Sequence, residues 1–241
     1  MNQKFLIHTG TVVLIMIVVG IFIFFTSSQI NLAAVDLGRH IINGEQWIQG
    51  GARSALLHTN FYSYTNASFP FINHHWGIGI IFYLIWKFAG FIGLSFFNIV
   101  IAAITFIVTL IIVRRFVSWP FVAALSLMFI PLMTYRQEIR PESLTMLFVA
   151  VFLWILIRKR FFWALPVIML FWINIHIGFI IGCAILGFFW IESLFTRFDK
   201  KLSIITGLTA LATLCNPSGI FGAFYPLSIF RNYGYPVAEH Q

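Results

Sequence analysis

The sequence predicts an all-α fold, a polytopic transmembrane helical bundle of about seven spans, with a long outer loop of juxtamembrane helices after the first span. Of the 241 residues, 60% are hydrophobic and only 9% are charged, whereas soluble domains carry about 25% charged residues. Apolar stretches alternate with short basic clusters, which is typical of helical membrane proteins and not of barrels. The chain is therefore expected to be one multi-pass transmembrane domain over residues 1–241.

Seven apolar stretches are the predicted spans. They are Phe5–Phe25, Phe91–Val113, Val117–Leu132, Pro141–Ile157, Phe161–Ile173, Ile177–Leu194 and Leu202–Leu214. Several are shorter than the ~20 residues that a span needs, so their ends would extend into the flanking turns or lie in a thinned bilayer. The first stretch is too long for the apolar region of a signal peptide and is predicted to be a signal anchor.

The topology depends on Trp76–Phe88, which fits either an eighth span or a helix lying at the interface. Basic residues are retained on the cytoplasmic side. With Trp76–Phe88 not crossing and the N-terminus inside, nine of the fifteen lysines and arginines lie inside. These nine are Lys4, Arg114, Arg115, Arg158, Lys159, Arg160, Arg197, Lys200 and Lys201. An eight-span chain with its N-terminus outside also keeps the clusters inside, but it must translocate Lys4. We predict seven spans, with residues 26–90 as one outer segment.

The net charge of +8 is explained by these cytoplasmic turns, so no nucleic-acid partner is predicted. The outer side instead collects chemically varied side chains. Asp36, Arg39 and His40 have the i, i+3, i+4 spacing that puts them on one helix face. This spacing fits a local ion pair, and it equally fits a carboxylate base that faces a polar pocket.

Two further outer turns contain candidate site residues. The turn "TYRQEIRPE" holds Arg136, Glu138 and Arg140; it is either a self-neutralising surface turn or a phosphate anchor, a role that suits arginine at a membrane interface. "WINIH" contributes Asn174 and His176, which could cap helix ends or line a site. His74 of "NHHW" could belong to an interfacial belt or to the same site.

These motifs together resemble the C-type (GT-C) superfamily of polytopic glycosyltransferases, which includes protein O-mannosyltransferases and bacterial lipid-linked sugar transferases. "DLGRHIINGE", "NFYSYTNASFPFINHHW" and "AGFIGL" resemble the first outer loop of bacterial members, and "RPE", "WINIH" and "NPSG" follow in order. The resemblance covers nearly the whole chain. Two positions depart from the pattern. His75 stands where an acid is frequent, and Ile177 stands where a glycine is frequent.

The resemblance implies an inverting transfer of sugar from a polyprenyl-phosphate donor to an acceptor hydroxyl at the outer face of a bacterial plasma membrane. The cytoplasmic N-terminus is predicted from the distribution of basic residues. Asp36 would be the general base. The residues implied to bind the donor phosphate or the substrate are Arg39, His40, His74, Arg136, Glu138, Arg140, Asn174 and His176. No cofactor is expected, although a divalent metal is compatible with the family, and the acceptor is not specified.

Two other functions fit parts of the pattern. A transporter would place ionisable groups and broken helices near the membrane midplane, and the predicted spans contain few such features. A non-catalytic subunit of a membrane complex is the other alternative. Family members usually continue with further spans after "NPSG", so the pattern fits either a short member or a C-terminally truncated chain.

Overall fold

The computed structural model describes residues 3–28, 30–32, 36–50, 53–60, 62, 65, 71–135 and 138–228, with the side chains of helix α1 described from Thr9 onward. The described residues form α-helices and one short 3-10 helix, and they contain no strand. The predicted all-α fold is confirmed. The α-helices are α1 Gln3–Ser27, α2 Leu37–Ile48, α3 Arg53–His58, α4 Trp76–Val113, α5 Trp119–Met133, α6 Glu142–Arg158, α7 Ala164–Ile175, α8 Phe179–Phe195, α9 Lys200–Ala212 and α10 Gly219–Phe224.

Two of the described helices, α1 and α4, are long and apolar enough to cross a membrane. The other predicted spans correspond to helices α5 to α9, which have 12 to 17 residues and fall below the ~20 residues of a typical span. The seven helices predicted from the apolar stretches are therefore present, but seven crossings are not confirmed.

Helix α4 is divided by a kink at Gly90. Its φ of 60° and ψ of −157° are not helical, and they belong to a region that only glycine adopts readily. An unbroken helix of 38 residues would be about 57 Å long, nearly twice the ~30 Å hydrocarbon thickness of a bilayer. The kink falls between Trp76–Phe88, predicted not to cross, and the predicted span Phe91–Val113. The orientation of the first half relative to a membrane stays a prediction.

Helix α2 packs closely against the first half of α4. Its buried residues include Leu37, His40, Ile41 and Gly44, which recur at helical spacing and form one face. A methyl group on Gly44 would overlap the carbonyl oxygen of Gly79, and one on Gly79 would lie 2.9 Å from the carbonyl oxygen of His40. The two helix backbones therefore approach within a distance that only glycine permits.

The segments that carry the predicted site converge on one hydrophobic cluster. Leu37, Ile139 and Ile175 belong to this cluster together with residues of α4. They directly follow or precede Asp36, Arg140 and His176 in the chain, so the packing of the apolar neighbours brings the polar segments to the same end of the bundle. An isolated parallel bridge between Asn31 and Glu138 also joins the segment before α2 to the turn before α6.

The outer surface of the helices is strongly apolar. Large hydrophobic side chains are exposed on α1, α4, α5, α8 and α9; Phe24, Ile92, Met128, Phe195 and Leu211 are examples. Soluble monomers rarely expose apolar patches larger than a few hundred Å².

Candidate active site

Asp36 stands at the N-cap position of α2, but its carboxylate does not cap the helix. Asp Oδ1 instead forms an ion pair of 2.9 Å with Nη2 of Arg39, and both side chains are about one-third exposed, at 40% and 33%. The Nε atom of Arg39 is buried and has no hydrogen-bond partner among the described residues. The pair therefore presents a partly accessible carboxylate beside a guanidinium that retains donor capacity.

Four histidines from three segments gather next to this pair. The ring of His75 lies 5.1 Å from His40, 4.0 Å from His74 and 5.2 Å from His176, measured between ring centroids. His40 comes from α2, His74 and His75 precede α4, and His176 follows α7. We call this group the four-histidine cluster.

Hydrogen bonds fix the ring of His176. Its Nδ1 accepts the backbone N–H of Gly178 at 3.0 Å and lies 2.8 Å from Oγ1 of Thr145. Because an N–H already points at Nδ1, that atom carries no proton, and the Thr145 hydroxyl donates to it. Oγ1 of Thr145 in turn accepts the indole N–H of Trp172 at 3.0 Å. His176 is therefore held as the tautomer with its proton on Nε2.

His74 has the opposite tautomer. Its Nδ1 lies 3.2 Å from the carbonyl oxygen of Ile72, and because a carbonyl oxygen only accepts, Nδ1 is the donor. Its Nε2 is then an acceptor. The neighbouring Asn73 anchors this segment, since its backbone N–H donates to the carbonyl of Leu57 at 2.9 Å and its side-chain amide donates to the carbonyl of Leu56 at 3.1 Å.

The cluster is uncharged at neutral pH. Burial and the Arg39 guanidinium together lower the pKa of His40 to about 4, against the opposing effect of Asp36. Burial also lowers the pKa of His74 to about 4, against the opposing effect of the Ile72 carbonyl, and the pKa of His176 to about 4. Burial and the adjacent histidines hold the pKa of His75 well below its usual value. The cluster can therefore donate and accept hydrogen bonds without contributing charge.

Arg140 lines a separate cavity of about 590 Å³ between α1, α4, α5 and α6. Its guanidinium lies 4.0 Å from Oε2 of Glu138 and 3.9 Å from Oε1 of Glu142. On the polar side, Ser143 donates to Oδ1 of Asn98 at 2.9 Å. The rest of the wall is largely apolar, with Phe22, Ala102, Leu132, Met133 and Met146 among its residues. We call this space the amphiphilic cavity.

Three further residues were predicted to belong to the site: Arg136, Glu138 and Asn174. Arg136 lies outside the described residues. Glu138 lines the amphiphilic cavity beside Arg140. Asn174 accepts the indole N–H of Trp76 at 3.0 Å and donates to the carbonyls of Leu170 and Cys215 at 2.8 and 2.9 Å. Its geometry joins three helix ends, and a substrate contact by Asn174 stays a prediction.

Within the described ranges, no set of three or more histidine, cysteine, aspartate or glutamate side chains is arranged to hold a metal ion. Nδ1 of His176 and Nδ1 of His74 are already occupied by hydrogen bonds within the protein.

Three residues of the site were not among the predicted site residues. His75 occupies the centre of the four-histidine cluster, and its position next to His74 in "NHHW" was the available signal. Thr145 and Trp172 orient His176 from α6 and α7, but nothing in an apolar helical segment marks a threonine or a tryptophan as a partner for a distant histidine. Only the packing of the two helices brings them within hydrogen-bond distance.

Comparison of the chain with models of protein families, with curated proteins and with solved structures gives no match.

Proposed function

We propose that the chain is an integral membrane glycosyltransferase of the GT-C type, which moves a sugar from a polyprenyl-phosphate donor to an acceptor hydroxyl. The observation that carries the proposal is the amphiphilic cavity beside the convergent polar segments. One side of that cavity offers hydroxyl and amide groups and the Arg140 guanidinium, which lies beside the carboxylates of Glu138 and Glu142, and the other side offers apolar side chains. A lipid-linked phosphate has the same division between a charged head and an apolar tail.

Two buried polar atoms without partners support a ligand at this end of the bundle. Oγ1 of Thr26, which lines the amphiphilic cavity, and Nε of Arg39 have no hydrogen-bond partner among the described residues. Buried polar groups are satisfied in the great majority of cases, and an unsatisfied one costs about 1–3 kcal/mol. Phosphate oxygens or sugar hydroxyls would satisfy both atoms.

The apolar surface and the helix lengths support a location in the membrane. The exposed apolar side chains would be stable in contact with lipid, and helices α6 and α8, each of 17 residues, are about 25 Å long. Charged and polar residues lie at both ends of these helices. In the proposed orientation, the end with Asp36 and the four-histidine cluster faces the outer side, and the basic turns face the cytoplasm.

The reaction is a single displacement. Asp36 takes the proton of the acceptor hydroxyl, whose oxygen forms a bond to the anomeric carbon while the bond from that carbon to the phosphate oxygen breaks. The products are the glycoside and the polyprenyl phosphate, and attack from the opposite side inverts the anomeric centre. Arg39 and Arg140 stabilise the negative charge that develops on the leaving phosphate.

The four-histidine cluster contributes neutral hydrogen-bonding groups. Because His176 carries its proton on Nε2 and Nε2 of His74 is unprotonated, His176 can donate to a sugar hydroxyl group and His74 can accept from one. A charged cluster would compete with the arginines for the phosphate, whereas neutral rings leave the phosphate with the arginines.

The proposal is tested by reconstituting the full chain in liposomes with a radiolabelled polyprenyl-phosphate sugar and measuring release of polyprenyl phosphate. Arg140→Gln should raise the donor concentration needed for half-maximal rate by about tenfold or more, because a charged hydrogen bond contributes about 1.5–3 kcal/mol. Arg115→Gln, at the opposite end of the bundle, is the matched control. Equal effects of both substitutions, or no turnover by the unsubstituted protein with a series of common lipid-linked sugars, would contradict the proposal.

A further inference from the structure

A second cavity lies at the opposite end of the bundle from Asp36. It has a volume of about 480 Å³ and is enclosed by the C-terminal ends of α6 and α8 and the N-terminal end of α9. Since α6 and α8 are each about 25 Å long, this cavity is separated from the outer site by roughly the thickness of a bilayer core. We call it the basic cavity.

Positive charge predominates in its walls. Four basic side chains and two carboxylates line it. The basic side chains are those of Lys159, Arg197, Lys200 and Lys201, and the carboxylates are those of Glu192 and Asp199. The carboxylate of Asp199 already accepts the backbone N–H of Leu202 at 3.0 Å. In the part of the chain that the structure describes, none of these six groups forms an ion pair. The cavity therefore has an excess of two cations that no protein carboxylate neutralises.

Two of these cations, both exposed to solvent, stand at the positive end of a helix, and Nζ of Lys201 lies 5.9 Å from the centroid of the Phe162 ring. Lys200 and Lys201 are the first two residues of α9, and the N-terminus of a helix carries a partial positive charge. Cations are destabilised there by a few tenths of a kcal/mol or more, and anions are stabilised. The retention of basic residues on the cytoplasmic side explains why this turn is positively charged. It does not require Lys200 and Lys201 to line a concave space at the positive end of a helix.

The surroundings of the basic cavity are apolar and aromatic. Phe162, Phe189 and Phe198 line it beside the charged residues, and the nearby Phe195 is 85% exposed. A ligand bound here would therefore have its charged part among the lysines and its remaining surface against aromatic side chains.

We infer that the basic cavity binds the phosphate group of an anionic phospholipid from the inner leaflet. The lysines and the N-terminus of α9 would contact the phosphate, and the acyl chains would lie along the exposed phenylalanines. Basic pockets between helices on the cytoplasmic side are a known way to bind such headgroups. A soluble phosphate compound shares the same recognition chemistry, and the experiment separates the two sources.

The test uses the full chain reconstituted in nanodiscs of phosphatidylcholine with phosphatidylglycerol at a 3:1 ratio, followed by native mass spectrometry of the lipids that remain bound. The unsubstituted protein should retain phosphatidylglycerol in preference to phosphatidylcholine. The double substitution Lys200→Gln with Lys201→Gln should lower that retention roughly thirtyfold. The double substitution Arg114→Gln with Arg115→Gln removes the same charge from another basic turn and should leave retention unchanged.

Equal retention by the two double variants, whether both keep the lipid or both lose it, would overturn the inference. A third variant, Arg197→Gln, changes a residue of the connecting loop and tests the same cavity if the lysine variant fails to fold. Inorganic phosphate is added in a parallel experiment with phosphatidylcholine alone. Stabilisation by phosphate that is lost with Lys200→Gln and Lys201→Gln, without preference for phosphatidylglycerol, would support the phosphate site and assign it a soluble ligand in place of the lipid.

Discussion

The hydrogen-bond chain from Trp172 through Thr145 to His176 can be broken with one substitution. Thr145→Val replaces the hydroxyl by a methyl group of similar size, so no cavity forms. The indole N–H of Trp172 then loses its acceptor at a position that is 0% exposed. An unsatisfied buried donor costs about 1–3 kcal/mol. His176 keeps one donor to Nδ1, the backbone N–H of Gly178, so the histidine itself is not left without a partner.

We expect Thr145→Val to destabilise the protein by about 2 kcal/mol. Hydrogen bonds between helices in membrane proteins contribute on average only about 0.6 kcal/mol, because the unfolded chain finds other partners. The effect here should exceed that average, since the hydroxyl of Thr145 connects two buried side chains. For a chain of this size the change corresponds to a lower melting temperature by roughly 4–8 °C.

Thr209→Val is the matched control, since Thr209 is 1% exposed and Thr145 is 2% exposed. The hydroxyl of Thr209 donates at 2.7 Å to the carbonyl of Ile205 in its own helix, and its removal leaves no other side chain unsatisfied. Thermal unfolding of both variants in the same detergent is the assay. Equal melting temperatures for the two variants would refute the role of Thr145 as the link between Trp172 and His176.

Two further predictions concern packing and pH. Gly44→Ala should destabilise the protein by about 1–3 kcal/mol, because the added methyl group overlaps the carbonyl of Gly79. Gly38→Ala is the control. A methyl group at Gly38 has nothing within 4 Å, so this substitution should be neutral or stabilising in the same thermal assay. The four-histidine cluster predicts lower stability in acid. The folded pKa values of about 4 for His40, His74 and His176 lie below the unfolded value of 6.5, so the stability that these residues contribute is complete above pH 6.5 and is lost as pH falls toward 4. Between pH 7.5 and 5.5 the loss should be about 1 kcal/mol for each such histidine, and His40→Gln should reduce it; a melting temperature that does not change over this range would contradict the assignment of neutral, buried rings.

The helices could be predicted from the sequence because their signal is local. Long apolar runs and the basic clusters that end them predicted seven of the α-helices. The kink at Gly90 could not be predicted, because a single glycine within an apolar run does not reveal its φ angle. The number of membrane crossings could not be predicted from the apolar runs either, because several helices are shorter than a standard span.

The candidate site was predictable only in part. The spacing of Asp36 and Arg39 on one helix face gave the ion pair, because contacts at i and i+3 depend on helix geometry alone. The cluster around His75 depends on the crossing of α2 and α4, which Gly44 and Gly79 permit. No spacing of residues along the sequence predicts how closely these two helices approach. A carboxylate and its local partner are therefore visible in the sequence, while their tertiary surroundings are not.

The central claim, that Asp36 takes a proton during sugar transfer, is tested most directly by Asp36→Asn in the liposome transfer assay. The asparagine keeps the shape of the side chain but does not accept the proton, so turnover should fall by roughly 10²–10⁴-fold while binding of polyprenyl phosphate persists. Glu45→Gln, a carboxylate of the same helix that accepts a hydrogen bond from Gln49 at 3.0 Å, is the control and should keep full turnover. Near-normal turnover in Asp36→Asn would contradict the account and leave Asp36 as a surface ion pair with Arg39, a contact that contributes only about 0–1 kcal/mol.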